Sequence, residues 1–332
     1  MFPVLRPEPD MSVRPWGGTR LGGASPAGPI GEAWVAGPAT RVPAGQAGAS
    51  HGPGTPGPDG SVSLDELAAL HGRAFVGSRS PWPDRFPLLV KLIDPIAWLS
   101  VQVHPDDGLA RQLVGPDAVG KTEAWFVLEA DPSSALLVGV RPGVTDAQVR
   151  AAIRDGGLAS LLQRISPLPG DTVLLPAGTL HAVGPGLFLY EVQEPSDLTY
   201  RADDWGRPAT PGRPLHVTET LAAWKPDVVA VFGHATPATD ARSSRTVLVE
   251  CEHFVLELVQ ARPDQPVALD TGGASPHVVT ALPGTGITIS GTTWRETLHP
   301  LETAVVSAGA GPYEVITEAS RPAAALIARL PG

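Results

Sequence analysis

The chain of 332 residues has one cysteine, few charged side chains (17%) and no long apolar run. A lone Cys251 excludes an intrachain disulfide. No segment approaches the roughly 20 consecutive apolar residues of a membrane span. The opening residues Met1-Phe2-Pro3-Val4-Leu5-Arg6-Pro7 lack the basic-then-apolar pattern of a signal peptide. These absences lead us to expect a soluble cytoplasmic protein. Cations are also scarce: 24 Lys and Arg stand against 34 Asp and Glu, for a net charge of −10. Nucleic-acid binding requires clustered basic residues, and no cluster is visible in the sequence. The expected partners therefore exclude nucleic acid and membrane. An acidic chain that binds an anion must gather its few cations locally.

Gly and Pro are abundant, at 37 each, which suits short strands joined by turns. The length fits about two domains. The stretch 37–60 reads as a long Gly/Pro-rich surface loop. Ser63-Leu64-Asp65-Glu66 and Thr145-Asp146-Ala147-Gln148 are capping boxes, each predicting a helix start. Leu158, Leu161, Leu162 and Ile165 mark a further amphipathic segment, and a short helix is expected at 109–113. Strands are predicted at 86–94, 98–104, 171–176, 180–183 and 187–194, and from Lys121 onward. Short β-like runs dominate after Trp224. Val173–His181 can be laid over Ala304–Pro312, with Pro312 at the place of His181. This echo reads either as a duplicated barrel with one copy lacking a metal, or as a chance match of apolar run and glycine.

The chemistry concentrates in a few segments. Leu99, Val101 and Val103 alternate with Ser100, Gln102 and His104. At a period of two, one face is apolar and the other carries a hydroxyl, an amide and an imidazole. Glu123 begins the next strand, and His181 follows the turn Pro176-Ala177-Gly178-Thr179. Two imidazoles, a carboxylate and an amide oxygen suit a borderline divalent ion, Zn²⁺ before Fe²⁺, Mn²⁺ or Co²⁺. The competing reading makes His104 and His181 ordinary turn or core histidines. Lys121 lies two residues before Glu123, on the same strand face. It reads as a neutraliser of that carboxylate or as a contact to a substrate oxyanion. Arg201 and Arg207 flank Asp203 and Asp204, and read as phosphate ligands or as partners of those two carboxylates. Glu191 shares a strand face with Gln193 and is a candidate general base if that face points inward; alternation does not settle which face is inside.

Six pieces in order resemble the type I phosphomannose isomerases, in particular the short bacterial form. They are Trp16-Gly17-Gly18-Thr19-Arg20-Leu21, Gly31-Glu32-Ala33-Trp34, Leu99–Asp107, Gly120-Lys121-Thr122-Glu123-Ala124-Trp125, Pro176–Ala182 and Ser196–Arg201. The resemblance covers most of 14–207 and, more weakly, the rest. It implies a mainly β fold with small helical insertions, built as two cupin (jelly-roll) barrels. The first, over 1–230, would be catalytic; the second, over 231–332, degenerate and metal-free. It implies one Zn²⁺ per chain on Gln102, His104, Glu123 and His181. Arg201 matches the catalytic arginine and Glu191 a proton-handling position; Lys121 is a further candidate for proton transfer. Ser100, Lys121 and Arg207 fall on phosphate or substrate contacts. The implied activity interconverts mannose 6-phosphate and fructose 6-phosphate by a proton shift between C1 and C2, in a monomer or weak homo-oligomer. The alternatives are a bicupin isomerase for another sugar phosphate and a non-catalytic sugar-phosphate-binding cupin. One departure stands out: Val35-Ala36-Gly37-Pro38 replaces a run that in the family often reads Ser-x-His-Pro.

Overall fold

The computed structural model describes all residues except 1–2, 23, 26–27, 44–45, 47–59, 209, 236–243 and 318–319. Most of the Gly/Pro-rich stretch 37–60 thus lies outside the described residues. The fold is mainly β, with short helices. Both capping boxes form. Ser63 and Glu66 exchange side-chain and backbone bonds at the start of helix Leu64–His71, and Thr145 and Gln148 do the same for Asp146–Asp155. Each box satisfies N–H groups that a helix start leaves without partners. Asp106 caps Asp107–Leu113 by accepting from Leu109 N. The segment after Gly157 departs from the helical expectation. Only Leu158–Leu161 is helical, as a 3₁₀ turn, and Leu162–Ile165 is a strand paired antiparallel with Leu136–Val140. Among the described residues no helix is long and apolar enough to cross a membrane.

The chain forms two compact units. One comprises residues 11–32 and 92–233. Its five-stranded sheet runs Leu162–Ile165, Leu136–Val140, His181–Val183, Val101–Val103, Tyr200–Asp203. In a second sheet, Glu123–Ala130 lies between Asp171–Leu175 and Leu187–Gln193. Trp125, Val127, Val173, Leu175, Leu187 and Leu189 of this sheet form one core with Leu136, Val138 and Val183 of the other. The opposite face of the five-stranded sheet is also apolar. Val101, Val103, Leu180, Ala182, Tyr200 and Ala202 pack on Val149, Ile153, Leu158, Ala223 and Trp224 of a helical layer. The residues alternating with them must therefore point between the sheets. The polar face of 100–104 is the inner one because helices, not water, cover the apolar face.

The other unit comprises residues 1–10, 33–91 and 234–332. Its six-stranded and four-stranded sheets enclose a core that includes Val259, Val279, Ile289, Val306, Val315 and Ile327. Polar side chains occur inside it as well. Buried Glu257 is gripped by Arg245 (2.7 and 2.9 Å) and Arg329 (2.6 and 3.1 Å), and His277 Nδ1 lies 2.8 Å from the Tyr313 hydroxyl. Asp171–Leu175 and His181–Val183 lie in different sheets, as do Thr303–Val306 and Pro312–Ile316, so the two halves of the sequence echo share a strand–turn–strand path.

Candidate metal centre

Strand register builds the site. His181 pairs with Gln102, and Gln102 with Arg201, so one row of the five-stranded sheet reads His181, Gln102, Arg201 on its inner face. In the facing sheet Glu123 pairs with Leu175 and Gln193. The turn before His181 is fixed at Gly178, whose N–H donates to the His104 carbonyl (2.9 Å) and whose φ is +101°. Glycine suits this left-handed position, and a Cβ there would come within 2.8 Å of the Lys225 side chain.

His104, Glu123 and His181 are 2%, 0% and 1% exposed, and one ligand atom from each lies within 4.8 Å of the others. Glu123 Oε2 is 3.3 Å from His104 Nε2, and Oε1 is 3.2 Å from His181 Nε2. His104 Nδ1 is 2.9 Å from the Leu198 carbonyl, and His181 Nδ1 is 2.9 Å from that of Thr179. A carbonyl only accepts, so both rings carry the proton on Nδ1 and turn the Nε2 lone pair to the centre. Burial, and then the Lys121 charge, lowers the His104 pKa to about 3; burial lowers that of His181 too. Both rings are neutral near pH 7, as metal ligands must be. Burial pushes the Glu123 carboxyl up, but Lys121 and the two histidines outweigh it and hold it well below its ordinary value. Glu123 Oε1 and His181 Nε2 are buried without a hydrogen bond. Leaving such atoms unpaired is costly, and a divalent cation between them satisfies both. The donor set fits a metal. Gln102 shares the face but is only half-buried.

The other candidates sort by contact. Lys121 is buried with its ammonium 2.5 Å from Glu123 Oε2 and 3.1 Å from His104 Nε2. Glu191 faces inward: it pairs across strands with Trp125, whose indole Nε1 donates to its Oε2 (2.9 Å). Trp125 packs edge-on against His181, so it links Glu191 to the His104–Glu123–His181 cluster. Arg201 is half-buried; its Nη1 donates to the Pro214 carbonyl and its backbone N to His216 Nδ1. Burial lowers its pKa, followed by Arg213, against the opposing effect of Asp204. Arg207 forks onto Asp204, while Asp203 accepts from Trp205 N. Ser100 is buried, and its neighbour Leu99 accepts from Trp205 Nε1 (2.6 Å). Sequence reasoning did not single out Trp125, whose tryptophan looks like ordinary core, or Arg213, which only the fold brings to Asp204.

Comparison with known proteins agrees with this geometry. The model of the phosphomannose isomerase type I catalytic domain matches residues 12–122. Mannose-6-phosphate isomerase ManA of Bacillus subtilis is 32% identical over 260 residues, 74% of this chain and 76% of that protein. The chain belongs to the type I phosphomannose isomerase family. Mannose-6-phosphate isomerase of Streptococcus mutans is 37% identical over 201 residues; that match spans 59% of this chain and about 60% of the relative's length. The crystal structure of the Bacillus subtilis mannose 6-phosphate isomerase superposes with a TM-score of 0.79 at 26% identity, covering 99% of both chains. A zinc-bound mannose 6-phosphate isomerase shares the fold, with a TM-score of 0.68 at 17% identity over 98% of this chain and 99% of that one.

Proposed function

We propose that this family member is a zinc-dependent isomerase that interconverts mannose 6-phosphate and fructose 6-phosphate in the cytoplasm. Residues 11–32 and 92–233 form its catalytic unit, narrower than the continuous 1–230 expected from the sequence because 1–10 and 33–91 group with 234–332; the two sheet-built units correspond to the family's two cupin barrels. The observation that carries the reading is the buried His104–Glu123–His181 cluster, with both Nδ1 atoms tied to carbonyls and two ligand atoms unpaired. Gln102 completes the ligand set from the same strand face. A zinc ion held there would polarise a substrate oxygen as a Lewis acid.

The reaction moves a proton between adjacent carbons beside a carbonyl, so negative charge develops on oxygen. Arg201, in the row with Gln102 and His181, supplies a fixed positive charge to that oxygen. Glu191 and Lys121 are the proton-handling pair. Lys121 holds its ammonium at the ligand carboxylate, where it can also meet a substrate oxyanion. Glu191 is held by Trp125 inside the sheet sandwich, where a carboxylate is retained only if paired or functional. Ser100 and Arg207, with Lys121, anchor the phosphate, so that remote binding energy orients the reacting carbons.

A coupled assay of mannose 6-phosphate conversion tests the proposal, with a panel of other sugar phosphates to set preference. In Arg201→Ala we expect turnover to fall by about 100-fold or more, the scale of losing one oxyanion stabiliser, with melting temperature and metal content retained. Near-normal turnover in that variant would remove Arg201 from the mechanism.

A further inference from the structure

In a chain where acidic residues outnumber basic ones, several arginines gather around Asp204 and Arg201. Arg207 reaches Asp204 Oδ1 through Nη2 (2.6 Å) and Nε (3.1 Å). Arg213 reaches the same carboxylate through Nη2 (2.7 Å to Oδ1) and Nε (3.2 Å to Oδ2). Both guanidiniums use the same edge of the fork, so the Nη1 end of each lies outside the Asp204 contact. Arg201 lies in the field of both, and its Nη1 is tied to Pro214, next to Arg213. Arg207 and Arg213 carry one positive charge more than Asp204 neutralises, the sign that attracts a phosphate monoester, which carries about −1.5 to −2 at pH 7.

The loop that carries these groups is fastened to the chain that enters the strand of Gln102. Trp205 donates to the carbonyl of Leu99, the neighbour of Ser100, and its ring packs on Trp98 with centroids 5.1 Å apart. Trp205 also has a φ of +58°. A bulky residue keeps that costly conformation only where its surroundings impose it, and such strain gathers at functional sites.

We propose that Arg213 is a specificity-determining residue that binds the substrate phosphate together with Arg207, while buried Asp204 positions the two guanidiniums. The inference rests on the sugar-phosphate reading above. It names a residue that neither motif nor strand register indicates.

The test uses the zinc-loaded full chain, comparing Arg213→Ala and Arg213→Lys with the parent. Isomerisation of mannose 6-phosphate and of mannose would be assayed, and inorganic phosphate titrated by calorimetry. Losing a charge-assisted bidentate contact corresponds to about tenfold or more in affinity. In Arg213→Ala, KM for the phosphorylated sugar and the Kd for phosphate should both rise by about that factor. In the same variant kcat for the phosphorylated sugar should also fall, since the anchor orients the reacting carbons, while turnover of mannose, which has no phosphate to hold, should fall by a smaller factor. Arg213→Lys should fall between the two and decides the matter if the alanine variant does not fold. Unchanged KM and unchanged phosphate affinity would overturn the assignment. If the parent does not isomerise mannose 6-phosphate, the isomerase reading fails and the phosphate titration alone decides the role of Arg213.

Discussion

The Nδ1 bonds of His104 and His181 to main-chain carbonyls set the chemistry of the centre, because they fix which nitrogen of each ring is available. His104→Ala should therefore lose the metal while the apolar core holds the fold. Elemental analysis checks this, and full metal content would refute the ligand assignment. Trp125→Phe keeps the ring against His181 but removes the donor to Glu191 Oε2. Losing this charge-assisted hydrogen bond costs about 1.5–3 kcal/mol, which urea unfolding would read, with undiminished stability the contrary result. Legibility differed from residue to residue. The inward phase of Gln102 and His104 was readable because their strand alternates polar and apolar. The side on which Glu191 lies was not, because every residue of Leu187–Gln193 is buried and alternation carries no signal there. Arg213 was invisible because its partner Asp204 is nine residues away across a Pro- and Gly-containing loop.

Elements whose determinants are local were the most legible. Both capping boxes gave helix starts at the right residues, since the bonds that make them lie within four residues. Leu162–Ile165 was misjudged because an apolar run after a glycine pair fits either periodicity, and pairing with Leu136–Val140 decides it as a strand. The turn at Gly178 is the element on which the site most depends, since it joins the His104 carbonyl to the chain entering His181. Gly178→Ala puts a Cβ at φ +101°, against Lys225. We expect a loss of about 1–3 kcal/mol from the strained backbone, read by thermal or urea unfolding, and weaker zinc retention against a chelator. Unaltered stability and zinc retention would show that the turn tolerates the side chain.

Across the whole molecule, the sequence echo links two units whose interiors answer the same demand differently. In one unit a buried carboxylate meets two histidines; in the other Glu257 meets Arg245 and Arg329, and His277 meets Tyr313. Burial holds the His277 pKa down to about 3, from an ordinary 6.5. Stability from its neutral form is fully present above 6.5 and lost as pH falls from 6.5 toward 3, because the unfolded chain takes up the proton first. Burial opposes the Glu257 charge, but the two arginines hold its pKa below the ordinary 4.5, so its contribution is present above 4.5 and lost as pH falls below that value. Between pH 7 and pH 5, urea unfolding of His277→Gln should show a fall in stability smaller than the parent's by about 2 kcal/mol. Equal falls would mean His277 titrates alike in both states. The account's central claim is that His104, Glu123 and His181 hold the metal on which isomerisation depends. The most direct measurement is conversion of mannose 6-phosphate by protein stripped with a chelator and then reloaded with zinc. The account predicts that activity is lost on stripping and returns with one zinc per chain. Undiminished turnover by protein shown to be metal-free would contradict it.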